Sequence, residues 1–325
     1  MRHGTVKIHT IPTLLTLLAL LAASAIAGCG QDAPGGDSSD PASEPARPAA
    51  EFQRVGKLES GRLDEASGIQ SGANGVFYLH NDEGKRLFLV DATGRDLGSF
   101  KVEDAKSRDW EDIARVPGPD GPLLVIGDIG DNHAARRQVS LYFLREPPAD
   151  QAGGEVRVKH RVRFTYPDGP RDVEAMAYDP VSARLLLLSK RDQPPRLYGL
   201  PLDLALWQHE MQAEFLGEVA GFRPPTRVDL LKNPGRGLWV SQPTGMDISP
   251  DGRLAAVLTY RSLYLFRREG TESWEEAFQR QPVEYIGPPG SHDEAVSFSL
   301  DGRAVYVTTE RRPAPLYRLD LPQEQ

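Results

Sequence analysis

The chain has 325 residues, with 38 Lys and Arg against 46 Asp and Glu, giving a formal net charge of -8 and an isoelectric point near 5.5. That balance argues against a nucleic-acid partner and against electrostatic adhesion to anionic lipid, both of which select positive surfaces. With Cys29 as its single cysteine, the chain has no intramolecular disulfide.

The first residues read as an address. Arg2, His3 and Lys7 give a basic lead, and residues 11–27 carry no charge. The stretch is too short, and too rich in small residues at its end, for a stable spanning helix, so it reads as an export signal. Its end, Ile26-Ala27-Gly28-Cys29, resembles the bacterial lipobox, which implies cleavage after residue 28 and acylation of Cys29. Gly30 stands where an aspartate would retain such a protein at the inner membrane, which resembles signals for passage to the outer membrane. Residues 29–50 are mostly Gly, Pro, Ser, Asp and Ala and cannot bury enough surface to offset ordering, so they read as a flexible tether. The expected organisation is a signal over 1–28, a tether over 29–50 and one domain over 51–325, lipid-anchored at the periplasmic face of the outer membrane.

The domain is written as a repeat of short strands. The first unit runs through Ala66-Ser67-Gly68-Ile69 and three further runs ending near Val102, with turn chemistry at Asn74-Gly75 and Thr93-Gly94 between them. The second starts at Glu111 and closes near Phe164, the third runs from Ala175 to Val219, and the fourth from Gly245 to Ile286. The fifth repeats the fourth closely, with Leu300-Asp301-Gly302-Arg303 matching Pro250-Asp251-Gly252-Arg253. Helical periodicity is weak and confined to residues 202–212 and 272–279.

The fifth unit ends one strand short. Residues 52–58 offer the missing strand, and pairing it with the last unit would close a ring and hide an edge that would otherwise template aggregation. The pattern therefore predicts an all-β, five-bladed β-propeller closed by its N-terminal strand. A six-bladed version would need a degenerate unit within residues 219–243. Pro224, Pro225 and Pro234 interrupt that segment, which makes six the weaker reading.

Glu65, Glu111, Glu174 and Glu294 each sit just ahead of a predicted inner strand, with Thr244 in the remaining place. A ring would gather them at one mouth of the channel, where His80 and His292 also fall near repeat-end acids. Converging carboxylates repel, so Lys190 and Arg261 are the expected counter-charges. Two accounts compete: the acids pair with basic groups and fix unit order, or they bind a ligand or metal. For the second, Asp82, Asp112, Asp128, Asp131 and Asn132 are the candidate oxygen ligands for Ca2+, with Gly127-Asp128-Ile129-Gly130-Asp131-Asn132 as the sharpest local signal. That loop lacks the acidic spacing of an EF-hand. No Gly-x-Ser-x-Gly elbow or phosphate loop occurs, and the histidines lack zinc spacing.

Several of these motifs together resemble the secreted and lipid-anchored bacterial propellers of the WD40-like or TolB-like repeat group. They are Ala66-Ser67-Gly68-Ile69, His80-Asn81-Asp82, Asp109-Trp110-Glu111-Asp112-Ile113-Ala114, Gly127 through Asn132, Asp172-Val173-Glu174-Ala175 and Thr244-Gly245-Met246-Asp247. The resemblance implies a propeller from about residue 52 to 321 and leaves the activity open, since this fold supports many functions. The eukaryotic Gly-His and Trp-Asp signature does not frame the units. The expected function is an envelope-anchored monomer binding a small molecule or envelope component at the acidic mouth through Glu65, Glu111, Glu174, Glu294, His80, Lys190 and His292. A metal-dependent hydrolase, phytase-like or lactonase-like, and a protein-binding module of the envelope are the alternatives.

Overall fold

The computed structural model describes residues 51–288, 293–310 and 312–322. The expected signal, tether and Cys29 lie outside them, as does His292. In chain order the strands are β1 (Gln53–Lys57), β2 (Ala66–Ser71), β3 (Val76–Asn81), β4 (Arg86–Asp91) and β5 (Asp96–Glu103). They continue with β6 (Trp110–Val116), β7 (Leu123–Asp128), β8 (Val139–Arg145), β9 (Gly153–Thr165), β10 (Val173–Asp179), β11 (Arg184–Ser189), β12 (Arg196–Pro201), β13 (Glu210–Gln212) and β14 (Glu214–Glu218). The remainder are β15 (Pro243–Ile248), β16 (Leu254–Thr259), β17 (Ser262–Arg267), β18 (Val283–Ile286), β19 (Asp293–Phe298), β20 (Ala304–Thr309) and β21 (Pro315–Asp320). Helices are short: α1 (Leu202–Trp207), α2 (Arg227–Lys232) and α3 (Trp274–Ala277).

Antiparallel runs of four account for nearly all of the strands: β2 to β5, β6 to β9, β10-β11-β12-β14, β15 to β18, and β19-β20-β21-β1. The runs β2–β5 and β6–β9 are joined at their outer strands, where β5 pairs in parallel with β9. The expected closure is present. Strand β1 pairs antiparallel with β21, so the two ends of the domain share one sheet. The segment between β14 and β15 holds α2, capped by Thr226 and Asp229, and no strand.

The second strand of each run is buried on both faces, and its side chains alternate between two different cores, as a period of two requires. Leu185 and Leu187 enter one cluster with Leu141 and Phe143, whereas Leu186 and Leu188 enter another with Val257 and Phe266. Ala256 and Leu258 meet Val305 and Val307, while Ala304 and Tyr306 meet Phe77 and Leu79. Val76 and Tyr78, on the other face of β3, pack with Leu124 and Ile126. Sheets are thus stacked face to face in a closed cycle, with the first strands β2, β6, β10, β15 and β19 neighbouring one another around the axis. This is a β-propeller.

A buried ion pair joins two of the sheets. Arg268, which follows β17, donates from both terminal nitrogens to Asp179 at the end of β10, at 2.9 Å each, and its guanidinium lies 4.8 Å from the centre of the Trp274 ring. Burial pushes the Asp179 carboxyl up, but bonds from Arg268, Ser182 and Val181 outweigh it and hold the group below the usual range. Its contribution is therefore complete above the unfolded carboxyl pKa of about 3.9 and disappears as pH falls through the lower folded value. Arg268→Met should lower stability by about 3–5 kcal/mol at pH 7, because Asp179 is left buried without its partner. Urea unfolding checks this, and a loss below about 1 kcal/mol, the level of an exposed pair, would contradict it.

Candidate functional site: the acidic mouth

Each inner strand carries a one-residue irregularity at the same level. Pairing with the second strand skips Ser67, Glu111, Glu174, Thr244 and Glu294 in turn. A bulge leaves one residue out of the ladder and re-aims its side chain, and such features gather where a sheet builds a site. Glu111, Glu174 and Glu294, all nearly buried, thereby enter one cavity of about 260 Å3. Asp82, Asp109, Lys190, Tyr260, Trp239 and Glu310 also line it.

The first unit is in a different register from the one the sequence suggests. Its bulge residue is Ser67, which lines the cavity, whereas Glu65 precedes the strand and is exposed. Glu65 lies beside Asp82, whose charge pushes its pKa up. Its backbone N–H donates to Asn81 Oδ1 at 3.4 Å, tying it to the β3 end of the hairpin.

The cavity holds more acid than its base neutralises. Lys190 forms an ion pair with Glu174 and donates to Tyr260 Oη at 2.8 Å, its ammonium 5.0 Å from the centre of that ring. Burial pulls Lys190 down, but Glu174 and Glu294 outweigh it and keep the ammonium charged. Burial drives Glu111 well above the carboxylate range, helped by the charges of Glu174 and Asp109. Glu294 rises for the same first reason, with Glu310 and Glu174 adding to it. Glu174, also raised by burial but opposed by Lys190, reaches about 7. Burial thus favours the protonated forms of Glu111 and Glu294, beside the Glu174–Lys190 ion pair.

Further along the channel two aspartates bond to backbone. Asp112 is fully buried: Oδ1 accepts from Ile113 N at 2.8 Å, and Oδ2 accepts from Met176 N on β10 at 2.8 Å and Met246 N on β15 at 3.1 Å. Asp247 repeats the device, accepting from Ile248 N at 2.8 Å, and from Phe298 N at 2.8 Å and Ser297 Oγ at 3.2 Å on β19. Gln70 extends the chain of contacts, accepting from Arg115 N at 3.1 Å and donating to Ser297 Oγ at 3.4 Å.

The expected calcium ligands are not brought together. Asp112 has both oxygens on backbone N–H groups. Asp128 is paired with Arg136 at 2.8 Å, and Asp131 accepts from Arg136 N at 2.6 Å. Asn132 accepts from Arg191, and Asp82 accepts from Glu83 N at 2.7 Å at the cavity rim. Among the described residues no group of three His, Cys, Asp or Glu side chains is placed to hold a metal, and this donor set does not fit calcium. His80 is wholly buried, edge-on to Trp110 at 5.6 Å, and burial pulls its pKa down to about 4. It packs tightly enough that a Cβ on Gly68 would lie 2.6 Å from its Nε2. Arg261 pairs with Asp229 of α2 at 2.8 Å and is not among the cavity-lining residues.

Sequence reasoning missed Arg236, Trp239 and Gln242, which reach the cavity from the segment before β15. That segment carries no repeat signal, and only its departure from the pattern marks it. Sequence reasoning placed Asp247 on the fourth inner strand but missed its role as an acceptor for backbone N–H groups.

No family model matches the sequence, and no curated protein matches it. The resemblance to WD40-like or TolB-like repeats therefore rests on the motifs alone. Among solved structures, the chain is similar to an X-ray structure provisionally assigned as a gluconolactonase, at 15% identity and a TM-score of 0.42, covering 85% of this chain and 96% of that one. A likeness at that level transfers neither residues nor chemistry.

Burial pushes Asp247 up to about 7, against the pull of the Phe298, Ile248, Ser297 and Gln70 donors. A raised folded pKa gives stability that is full below the unfolded value of about 3.9 and is lost as pH rises to 7. The stability difference between wild type and Asp247→Asn should therefore shift against wild type by about 2–4 kcal/mol between pH 4 and pH 7. Urea midpoints across that range measure it, and a pH-independent difference would show that Asp247 is ionised throughout.

Proposed function

We propose that this protein is a five-bladed, lipid-anchored propeller of the cell envelope that binds one small, hydroxyl-rich ligand in the acidic mouth. The observation that carries this reading is the convergence of Glu111, Glu174 and Glu294, from three separate inner strands, around the single ammonium of Lys190. Burial favours the protonated forms of Glu111 and Glu294, which donate and accept at once as sugar or polyol hydroxyls do, and it disfavours the carboxylates that a bare cation would need beside Lys190. Gln242 and Arg236 add amide and guanidinium donors, and the half-exposed ring of Trp239 offers a flat apolar face. A volume of about 260 Å3 suits one small molecule. The blade count is supported by the cycle of inner strands and by a hydrophobic cluster between each neighbouring pair of sheets. The anchor is supported by the sequence around Cys29.

One observation favours a hydrolytic second reading. Glu174, at about 7 beside Lys190, is poised to give or take a proton at neutral pH, as a general acid or base must.

Calorimetric titration of the mature protein with a panel of neutral monosaccharides and polyols tests the main reading. A member of the panel should bind, with affinity falling roughly tenfold or more in Trp239→Ala and in Glu174→Gln, about 1.4 kcal/mol or more each. Binding of divalent cations alone would sink it. Turnover of the bound compound, lost in Glu174→Gln with binding retained, would favour hydrolysis. Labelling with a radioactive fatty acid should mark the wild-type chain and leave Cys29→Ser unmarked.

A further inference from the structure

We infer that a groove beside the second four-stranded sheet binds the phosphate or sulfate groups of an anionic ligand. The groove has a volume of about 700 Å3 and is lined by Arg108, Arg136, Arg137, Arg161 and Arg163, together with Ser140, Thr165 and their neighbours. No Asp or Glu is among its lining residues, although the chain as a whole carries a net charge of -8. The groove shares no lining residue with the acidic mouth.

Local structure brings these side chains together from distant parts of the chain. Strand β9 presents Arg161 and Arg163 on alternate positions of one face, the loop before β8 supplies Arg136 and Arg137, and the loop before β6 supplies Arg108. Arg161 is held in place by Ser140, with Nη2 to Oγ at 2.9 Å, and its guanidinium lies 5.4 Å from the centre of the Tyr142 ring. Arg136 is fixed by Gly130 O at 2.6 Å and Asp128 Oδ1 at 2.8 Å. Carboxylates balance two of the five, Asp128 for Arg136 and Glu210 for Arg163. Arg108, Arg137 and Arg161 have no ion pair among the described residues, and Arg108 and Arg137 are exposed.

Gathered guanidiniums repel one another unless an anion lies between them. Their planar forks match the paired oxygens of a tetrahedral oxyanion, and positions already fixed by Ser140, Tyr142 and Gly130 lose little freedom on binding. The same chemistry occurs on a phosphorylated or sulfated glycan and on an anionic lipid headgroup.

Sodium tripolyphosphate, titrated calorimetrically into the mature protein at low salt, reports on the groove directly. Binding should weaken roughly tenfold in the Arg108→Glu, Arg137→Glu double variant and less in Arg137→Gln, and should fall as NaCl is raised. Arg157→Glu, an exposed position outside the groove, should leave it unchanged. Both groove positions are exposed and without ion pairs, so an unchanged thermal midpoint confirms folding. Two further arms use a heparin hexasaccharide and phosphatidylglycerol–phosphatidylcholine vesicles; the one bound through the same arginines identifies the glycan or the headgroup as the source. Absence of tripolyphosphate binding at low salt, or equal weakening by Arg157→Glu, overturns the assignment.

Discussion

The structure depends on how the central channel satisfies its own backbone. Among the described residues the inner strand of each sheet has a ladder on one side only, so N–H groups on its other side are left without a strand partner. Buried N–H groups cost roughly 1–3 kcal/mol each when left unpaired. Asp112 and Asp247 supply acceptors across the gap, one carboxylate bridging β6 to β10 and β15, the other bridging β15 to β19. Between sheets that otherwise meet through non-directional apolar packing, these bonds fix height and order around the axis. Buried carboxyls are costly unless fully hydrogen-bonded, and here each oxygen is engaged.

The channel and the mouth are consequences of one strand design. Four of the five bulges release a side chain into the mouth, while Thr244 donates to Asp293 O at 2.8 Å, and the residues that follow return to the ladder. Glu111 and Asp112 are neighbours in sequence with opposite duties. Glu111 enters the cavity, while Asp112 has every oxygen bonded to main chain. Lys190 pairs with Glu174, and burial favours the protonated forms of Glu111 and Glu294, which lessens the repulsion that sequence spacing suggests.

Much of this was legible before the structure. Unbroken apolar runs such as those within Arg184–Ser189 and Ala304–Thr309 mark strands buried on both faces, and the unit lacking its fourth strand points to the N-terminal segment that fills it. Glu111, Glu174, Glu294 and Lys190 fall together as their spacing implies. What failed was register and partnership. Glu65 and Ser67 are two residues apart, and only the hydrogen-bond ladder shows which of them sits at the bulge. The acids after Gly127 look like cation ligands because their counter-ion, Arg136, is a single residue in a loop without pattern. Asp247 and Asp112 act on backbone groups, whose need for acceptors depends on a closed ring and leaves no trace in local sequence.

Amide hydrogen exchange at Met176, Met246 and Phe298 tests the channel account most directly. If Asp112 and Asp247 bridge the inner strands, all three amides exchange only through global unfolding in the wild type. In Asp112→Asn, Met176 and Met246 should lose protection by roughly tenfold or more relative to their strand neighbours, with Phe298 unchanged relative to its own. Equal protection of Met176 and Met246 in wild type and variant, after correction for global stability, would contradict the account.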